Sequence, residues 1–144
     1  MSTSTVQILE AIAEVRTTFE LVLSRFVDRR AVGWPSFAGD SVGFEALVIG
    51  ETFERERIAD VAPAVVISAD GAEMARGLAG DDLTDPVRAL SYLIEHARDR
   101  NATLKRGEIA TLGAIGKPFD LARDAEVVAR YLGRELRFTM RMPR

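Results

Sequence analysis

The chain has 144 residues, of which 47% are hydrophobic and 28% are charged, close to the composition of an average soluble domain. Its net charge of −3 argues against a nucleic-acid-binding protein, and no apolar run is long enough to cross a bilayer. Since it has no cysteine and one histidine, disulfides, thiolate metal sites and a histidine-based zinc site within one chain are excluded. We expect one domain spanning residues 1–144. Because the N-terminus lacks the pattern of a secretory signal, we also expect a cytoplasmic protein.

The first half of the chain predicts one helix followed by two strands. Apolar residues at helical spacing predict a helix over residues 3–15. Residues 17–26 alternate in polarity and are rich in β-branched and aromatic side chains, which predicts a strand with Glu20 near its middle. Residues 27–43 contain glycines and a proline and predict a loop, whereas residues 46–50 predict a short buried strand.

The second half predicts further strands around one long helix. Residues 58–71 predict an extended segment that ends in an Asp-Gly turn, and residues 73–78 predict the return strand. The clearest helix covers residues 86–100, where Asp85 is suited to cap the first turn and the apolar side chains form one stripe. Residues 108–116 predict a strand that runs into a glycine-containing loop.

The C-terminal end predicts a β-hairpin. Residues 125–132 lead through a Gly-Arg pair into residues 135–142, where apolar and polar residues alternate strictly, so that one face is buried and the other exposed. The whole chain thus predicts two helices and six to eight strands. This set of elements favours an α+β fold in which a mostly antiparallel sheet curls over the long helix.

Two acidic residues are candidates for acid–base chemistry. Glu20 lies in a strand between strongly apolar residues, and a buried carboxylate must be paired, bound to a metal or protonated. It is therefore a metal ligand or general base, or else it lies on the wet face of a half-exposed sheet. Asp40, in the sequence Gly-Asp-Ser-Val-Gly, either hydrogen-bonds its own turn or lies at the mouth of a pocket.

Two other segments have a weaker chemical signal. Glu54 and Glu56 on a strand would share a face and hold a cation, but the interleaved arginines favour a self-neutralising surface ladder. In residues 111–118, small residues would let backbone amides approach an anionic ligand, and Lys117 would add charge. That segment lacks the spacing of a phosphate-binding loop.

Three segments, taken together in this order, resemble a known family. They are VQILEAIAEVRTTFELVLSRF, DSVGFEALVIG and DPVRALSYLIEHARDRNATLKRGEIATLGAIGKP. They are similar to the C-terminal part of the 2-keto-4-pentenoate hydratases of the fumarylacetoacetate hydrolase superfamily, over about residues 5–141. The resemblance implies a rolled, mostly antiparallel β structure with a long helix packed on it. It also implies chemistry on 2-oxo acids and 1,3-dicarbonyl compounds, with magnesium or manganese holding the oxo-carboxylate.

The resemblance assigns roles to individual residues. Glu20 matches a glutamate that supplies one metal ligand in the family, and Ser24 and Arg25 match the Ser-Arg pair that follows it. Asp40 matches the aspartate of an Asp-Asn pair, here Asp-Ser. Residues 111–116 are similar to the segment that lines the family's substrate site.

The departures from the family concern the metal. Leu23 replaces an aspartate, and the family's other two metal ligands and its catalytic lysine come from upstream of the first helix here. Glu54 and Glu56 are in the wrong place to replace those ligands. The resemblance therefore implies no cofactor for this chain alone, with Mg²⁺ or Mn²⁺ bound only if another chain completes a site at Glu20.

The predicted site combines Glu20 with two loops of the chain. We expect Glu20 to face an enclosed cavity shared with the loop around Asp40 and the turn at residues 111–117. The predicted catalytic residues are Glu20 and Asp40, and the predicted substrate-binding residues are Ser24, Arg25, Thr111, Gly113 and Lys117.

The predicted function is a small, metal-independent enzyme of the lyase or isomerase type. It would hydrate, dehydrate, isomerise or cyclise a keto–enol or unsaturated oxo substrate by acid–base chemistry. The alternative is a non-catalytic or accessory subunit that pairs with a full-length hydratase or decarboxylase, or that dimerises. The expected partners are thus a small keto or enol molecule and either a second copy or a hydratase-type subunit, with no nucleic acid and no membrane.

Overall fold

The computed structural model describes residues 5–28, 30–83 and 85–142. The chain divides into two compact units, a larger unit of residues 1–15 and 52–144 and a smaller unit of residues 16–51. The α-helices are α1 (Thr5–Ala11), α2 (Gly33–Gly39), α3 (Val61–Ala64) and α4 (Pro86–Asp99). The strands are β1 (Val15–Val22), β2 (Phe44–Phe53), β3 (Val66–Ala69), β4 (Ala72–Arg76), β5 (Ala125–Tyr131) and β6 (Arg134–Met140). Three short 3-10 helices cover Ser41–Gly43, Arg55–Asp60 and Gly80–Asp82. The single domain expected from the sequence stays a prediction.

A four-stranded antiparallel sheet organises the larger unit. Its strand order is β4-β3-β5-β6, and the register pairs Val66 with Arg130 and Val127 with Phe138. β5 is an inner strand, and three consecutive residues in its middle, Val127 to Ala129, are buried, so both faces of the sheet are covered at that point. The mostly antiparallel α+β class and the long helix are confirmed.

The hydrophobic core lies in the larger unit. Tyr131 and Val127 are its most buried large side chains, and the ring of Tyr131 meets that of Phe53 edge-on at 6.3 Å between centroids. Burial of an apolar side chain such as that of Val127 contributes about 1.5–3 kcal/mol. The other buried apolar residues are Ile8, Val61, Ala62, Val65, Ile67, Ala69, Leu90, Ala125, Val128, Ala129 and Leu136.

The smaller unit is built differently. In it, β1 and β2 form a two-stranded sheet, and α2 lies between them in sequence. None of its described residues has a buried apolar side chain. Its buried residues are Thr17, Asp40, Gly43 and Gly50.

Two predicted elements are confirmed nearly to the residue. Helix α4 begins where Asp85 caps it, because the Asp85 carboxylate accepts hydrogen bonds from the N–H groups of Val87 (2.9 Å) and Arg88 (3.1 Å). The hairpin β5–β6 turns at Leu132 and Gly133, both with positive φ. In β6 the apolar residues are the more buried ones, as the alternation predicts.

Two short helices replace predicted loop or extended chain. Helix α2 lies within the predicted loop, and α3 with the preceding 3-10 helix replaces the first part of the predicted extended segment. Pro35 and Pro63 each stand in the first turn of their helix, where the backbone N–H would have no helical partner. Proline therefore removes no hydrogen bond from either helix, although in a sequence pattern a proline indicates the end of a helix.

Other boundaries also differ from prediction. Residues 108–116 form no strand but make one bridge between Gly77 and Gly116. Helix α1 ends at Ala11, and residues 3 and 4 of the predicted helix lie outside the described part of the chain. No helix within residues 5–28, 30–83 and 85–142 has the length and apolar character needed to cross a membrane.

Candidate functional site

Three predicted site residues come together in the smaller unit: Ser24, Arg25 and Asp40, which we call the Arg25 site. Asp40 follows the last residue of α2, and its N–H donates to the carbonyl of Ser36 at 3.0 Å. Its own carbonyl accepts from the N–H of Gly43 at 2.9 Å. These two hydrogen bonds fix the backbone of Asp40 and therefore the position from which its side chain extends.

The Asp40 carboxylate is buried and fully engaged. Its Oδ2 accepts hydrogen bonds from Ser24 Oγ at 2.9 Å and from the Arg25 backbone N–H at 3.1 Å. Its Oδ1 accepts from Arg25 Nη1 at 2.5 Å. The hydrogen bond from Arg25 lowers the pKa of Asp40, against the opposing effect of burial. Asp40 is therefore ionised at neutral pH and acts as an acceptor.

Arg25 is held on one side and open on the other. Its side chain is 68% exposed, whereas that of Asp40 is 3% exposed. Nη1 also donates to the Asp40 carbonyl at 3.5 Å, and Nε and Nη2 make no hydrogen bond to any described residue. The hydrogen bond to Asp40 raises the pKa of Arg25, so the guanidinium stays charged. Its free edge, Nε and Nη2, has the geometry that binds a carboxylate with two parallel hydrogen bonds.

Ser24 and a strained loop complete the surroundings of Asp40. Ser24 Oγ donates to Asp40 and accepts from the N–H of Phe26 at 3.2 Å, which fixes the hydroxyl direction. Three consecutive residues after Asp40 have positive φ: Ser41 (53°), Val42 (59°) and Gly43 (77°). A β-branched residue rarely adopts this conformation, so Val42 stores backbone strain beside the Arg25 site. Val42 was not predicted as part of the site, because no residue pattern identifies a valine in the left-handed region.

Glu20 differs from its predicted surroundings. Its side chain lies on β1 and is exposed, so the expectation that it faces an enclosed cavity was wrong. No group of three or more acidic or histidine residues among those described is arranged to hold a metal ion. The described residues therefore do not fit a divalent cation by themselves, and the role of Glu20 stays a prediction.

The other predicted substrate-binding residues belong to the larger unit. Thr111, Gly113 and Lys117 lie in an irregular, exposed segment that is attached to the rest of the unit by the Leu78 N–H, which donates to the Ile115 carbonyl at 2.9 Å. Lys117 lines an open depression of about 350 Å³ together with residues 74–79 and Asp82. Their role in substrate binding stays a prediction.

Each member of the acidic pair near the start of the larger unit has an arginine partner. Glu54 accepts from Arg134 Nη2 at 3.1 Å, and Glu56 accepts from Arg55 Nε at 3.0 Å. Backbone hydrogen bonds and then these arginines lower the pKa of both carboxyl groups. Glu56 lies in a 3-10 helix, so the two side chains do not share the face of a strand. This arrangement supports the surface ladder rather than a cation site.

The comparison with solved structures decides the fold relationship. The chain is similar to two structures of 4-oxalocrotonate decarboxylase from Pseudomonas putida G7, one complexed with calcium and acetate and one with magnesium and adipate. The TM-scores are 0.74 and 0.77 at 21% identity. This chain has the fold of about half of that decarboxylase. No family model and no curated protein sequence matches it.

The likeness covers nearly all of this chain but only part of the decarboxylase chain. The alignments cover 95% of this chain but 51% and 52% of the decarboxylase chain, so this chain spans about half of that length. The α+β fold that the resemblance implied is thereby confirmed. Both solved structures are of an enzyme, and no reaction of this chain follows from them.

The cofactor prediction needs correction. We expected no cofactor for this chain alone, because two of the family's metal ligands are missing from its sequence. Both decarboxylase structures hold a divalent cation, calcium in one and magnesium in the other, and this finding overturns that expectation. The physical reason is that the match covers about half of the decarboxylase chain, so a ligand set missing from this sequence does not decide whether the fold holds a cation.

Proposed function

We propose that this chain belongs to a lyase- or isomerase-type enzyme for small keto or enol acids, and that Arg25 binds the substrate carboxylate. The observation that supports this proposal is the open guanidinium edge of Arg25, whose other side is held by the buried Asp40 at 2.5 Å. A guanidinium fixed in this way loses little side-chain entropy when it binds a carboxylate. Acetate and adipate, present in the two decarboxylase structures, are carboxylates of the expected kind.

In this proposal, Glu20 and Asp40 have different tasks. Glu20 is the proposed general acid or base; it is exposed on β1, so this role has no support from burial and requires a substrate within hydrogen-bond reach of the carboxylate. Asp40 is ionised and already accepts three hydrogen bonds from Ser24 and Arg25. Its contacts favour a positioning role, in which it orients the guanidinium toward the substrate.

A divalent cation, where bound, stabilises the enolate of a 2-oxo acid by withdrawing charge from its oxygen atoms. The described residues of this chain do not form a complete set of ligands for it. No step of the proposal is therefore assigned to the metal, and the carboxylate-binding role of Arg25 is tested both with and without Mg²⁺.

The test is a calorimetric titration of the chain with adipate, in buffers containing either Mg²⁺ or a chelator. We expect Arg25→Gln to weaken adipate binding about tenfold or more, because two charge-assisted hydrogen bonds are lost. The matched control is Arg30→Gln, which removes another exposed arginine of the smaller unit and should leave binding unchanged. Equal adipate affinity in the wild type and Arg25→Gln would refute the proposal.

Measurements of turnover test the proposed acid–base role of Glu20. A panel of 2-oxo acids and conjugated enones is incubated with the chain, and the loss of substrate absorbance is followed. We expect Glu20→Gln to slow conversion about a hundredfold or more, the contribution typical of a general acid or base. An unchanged rate would remove Glu20 from the mechanism.

A second candidate is an accessory subunit without activity of its own. The observation that favours it is the half-length match to the decarboxylase. It predicts no turnover by the chain alone in the panel above, together with normal adipate binding.

A further inference from the structure

A long irregular segment connects helix α4 to strand β5 in the larger unit. It covers residues 101–124, which we call the strap, and it contains neither a helix nor a strand. Every residue of the strap is exposed or half-buried. Irregular segments longer than about 12–15 residues are uncommon in compact units, where they are usually lids, binding loops or disordered linkers.

Both ends of the strap are anchored, which distinguishes it from a linker. At its start, the Ala102 N–H donates to the Ala97 carbonyl in the last turn of α4 at 2.8 Å. At its end, the Asp124 carboxylate accepts from the Met142 N–H at 2.8 Å. A segment with two fixed ends can move only as a hinged loop, with the change in backbone angles taken up near those ends.

The middle of the strap is held to the sheet at one place. Gly116 forms a β-bridge with Gly77, and the Leu78 N–H donates to the Ile115 carbonyl at 2.9 Å. We call these four residues the clip. Among the described residues, the clip is the only hydrogen-bonded main-chain connection between residues 103–122 and the rest of the chain. A segment with so few hydrogen bonds and no buried side chain opens locally at low cost in free energy.

The two sides of the clip differ in how firmly they are fixed. On the sheet side, the Gly77 N–H donates to the Val65 carbonyl at 3.0 Å, and a Cβ on Gly77 would lie 1.5 Å from the Ala62 carbonyl oxygen. On the strap side, a Cβ on Gly116 would lie 3.2 Å from Cδ1 of Ile67. The absence of a side chain therefore permits the close approach on each side, and release of the clip moves the strap rather than the sheet.

The strap also supplies one wall of the open depression described above. Lys117 directly follows the clip and lines this depression, whereas residues 74–79 and Asp82 line it from the sheet side. Movement of the strap therefore takes away a wall of the depression together with its lysine.

We propose that the strap is a lid, which opens as a unit by releasing the clip while the four-stranded sheet stays folded, and which thereby controls access to the depression at Lys117. This inference is independent of the proposed function, because it uses residues of the larger unit only and no property of the Arg25 site.

Hydrogen exchange of the full chain tests the proposal. The Leu78 N–H reports on the clip, and the N–H of Val128, in the inner strand β5, reports on the sheet. We expect Leu78 to exchange about a hundredfold or more faster than Val128. The exchange of Leu78 should stay nearly constant up to about 1 M urea, because opening an exposed segment uncovers little further surface, whereas that of Val128 should rise steeply. Equal rates or equal urea dependence would show that the clip opens only with the whole sheet, and either result overturns the proposal.

A variant at the clip tests how the lid is held. Gly116 has no positive φ, so Gly116→Val introduces a steric conflict with Ile67 rather than backbone strain. It should speed the exchange of Leu78 about tenfold or more and leave that of Val128 unchanged. Ala114→Val is the matched control, because Ala114 is exposed on the strap and outside the clip, and it should change neither rate. Equal acceleration of Leu78 and Val128 by Gly116→Val, or no acceleration of Leu78, would contradict the lid. If Gly116→Val does not fold, the urea series on the wild type still decides.

Discussion

The Asp40 carboxylate, 3% exposed, receives a hydrogen bond of 2.5 Å from Nη1 of Arg25, whose side chain is 68% exposed. A buried acceptor thus orients a guanidinium that still faces solvent. Since surface ion pairs between two mobile side chains contribute little, the burial of one partner is what makes this pair a fixed structural feature.

The first prediction concerns acid unfolding. Because hydrogen bonding by Arg25 lowers the pKa of Asp40 in the folded chain, the stabilisation is present above the pKa of an unfolded aspartate, about 3.9. It is lost as the pH falls from there through the lower pKa of the folded chain. Asp40→Asn should therefore be less stable than the wild type above about pH 4, with the difference shrinking in acid. Urea unfolding between pH 2 and pH 7, followed by Trp34 fluorescence, measures it.

A carboxylate elsewhere in the smaller unit provides the control. Glu51 is exposed on β2, so Glu51→Gln should unfold like the wild type at every pH. If Asp40→Asn and Glu51→Gln gave the same pH profile, the Asp40–Arg25 pair would have no energetic role.

The second prediction concerns Gly77. A Cβ added there would lie 1.5 Å from the carbonyl oxygen of Ala62, and the Gly77 N–H donates to the Val65 carbonyl at 3.0 Å, which prevents the backbone from moving away. Gly77→Ala should lower the free energy of unfolding by about 3 kcal/mol. Gly39→Ala is the control, because nothing lies within 4 Å of its added Cβ. Chemical denaturation of the two variants should separate them clearly; similar midpoints would contradict the close approach.

The third prediction concerns the strain at Val42. Its φ of 59° is costly for any residue with a Cβ, and most of all for a β-branched one. Val42→Gly should therefore be more stable than Val42→Ala by about 1 kcal/mol, because both variants lose the two γ-methyl groups and only the glycine variant also lacks the Cβ that strains the backbone. Thermal unfolding of the pair isolates the backbone contribution. A more stable alanine variant would mean that the loop does not adopt this conformation.

The fourth prediction concerns the start of α4. Asp85→Ala removes the acceptor for the N–H groups of Val87 and Arg88 and should cost about 1 kcal/mol of stability. Asp85→Ser keeps a capping oxygen and should recover most of that loss. Helix content by circular dichroism during thermal unfolding provides the measurement, and equal losses in both variants would show that capping is not the cause.

Rules that use only neighbouring residues predicted correctly the elements that neighbouring residues stabilise. The α4 cap, the Asp-Gly turn and the alternation in β6 each depend on residues within a few positions, and all three are confirmed. Helices α2 and α3 were missed because proline has two opposite meanings, a break in a helix interior and a neutral residue in a first turn. Residues 108–116 have strand-like composition, yet they pair at one bridge only.

The candidate site was predicted only in part, because its contacts are tertiary. Local rules left two possibilities for Asp40, a hydrogen bond to its own turn or a place at the mouth of a pocket. In the structure its carboxylate accepts from Ser24 and Arg25, which lie 16 and 15 residues away. The family resemblance matched each of the three residues to a family position, but the contacts between them were not predicted. The exposure of Glu20 depends on what packs against β1, which alternation along one strand cannot determine.

The turn between β3 and β4 has a consequence for chemical ageing. Asp-Gly pairs convert to isoaspartate when the glycine nitrogen attacks the aspartate side-chain carbon. In the folded chain Asp70 Oδ1 accepts from the Glu126 N–H at 2.9 Å and Oδ2 lies 3.4 Å from Arg123 Nη2, so the side chain cannot rotate freely toward Gly71. The fraction of isoaspartate found at Asp70 by peptide mapping of a stored sample should therefore measure how long the molecules have spent unfolded.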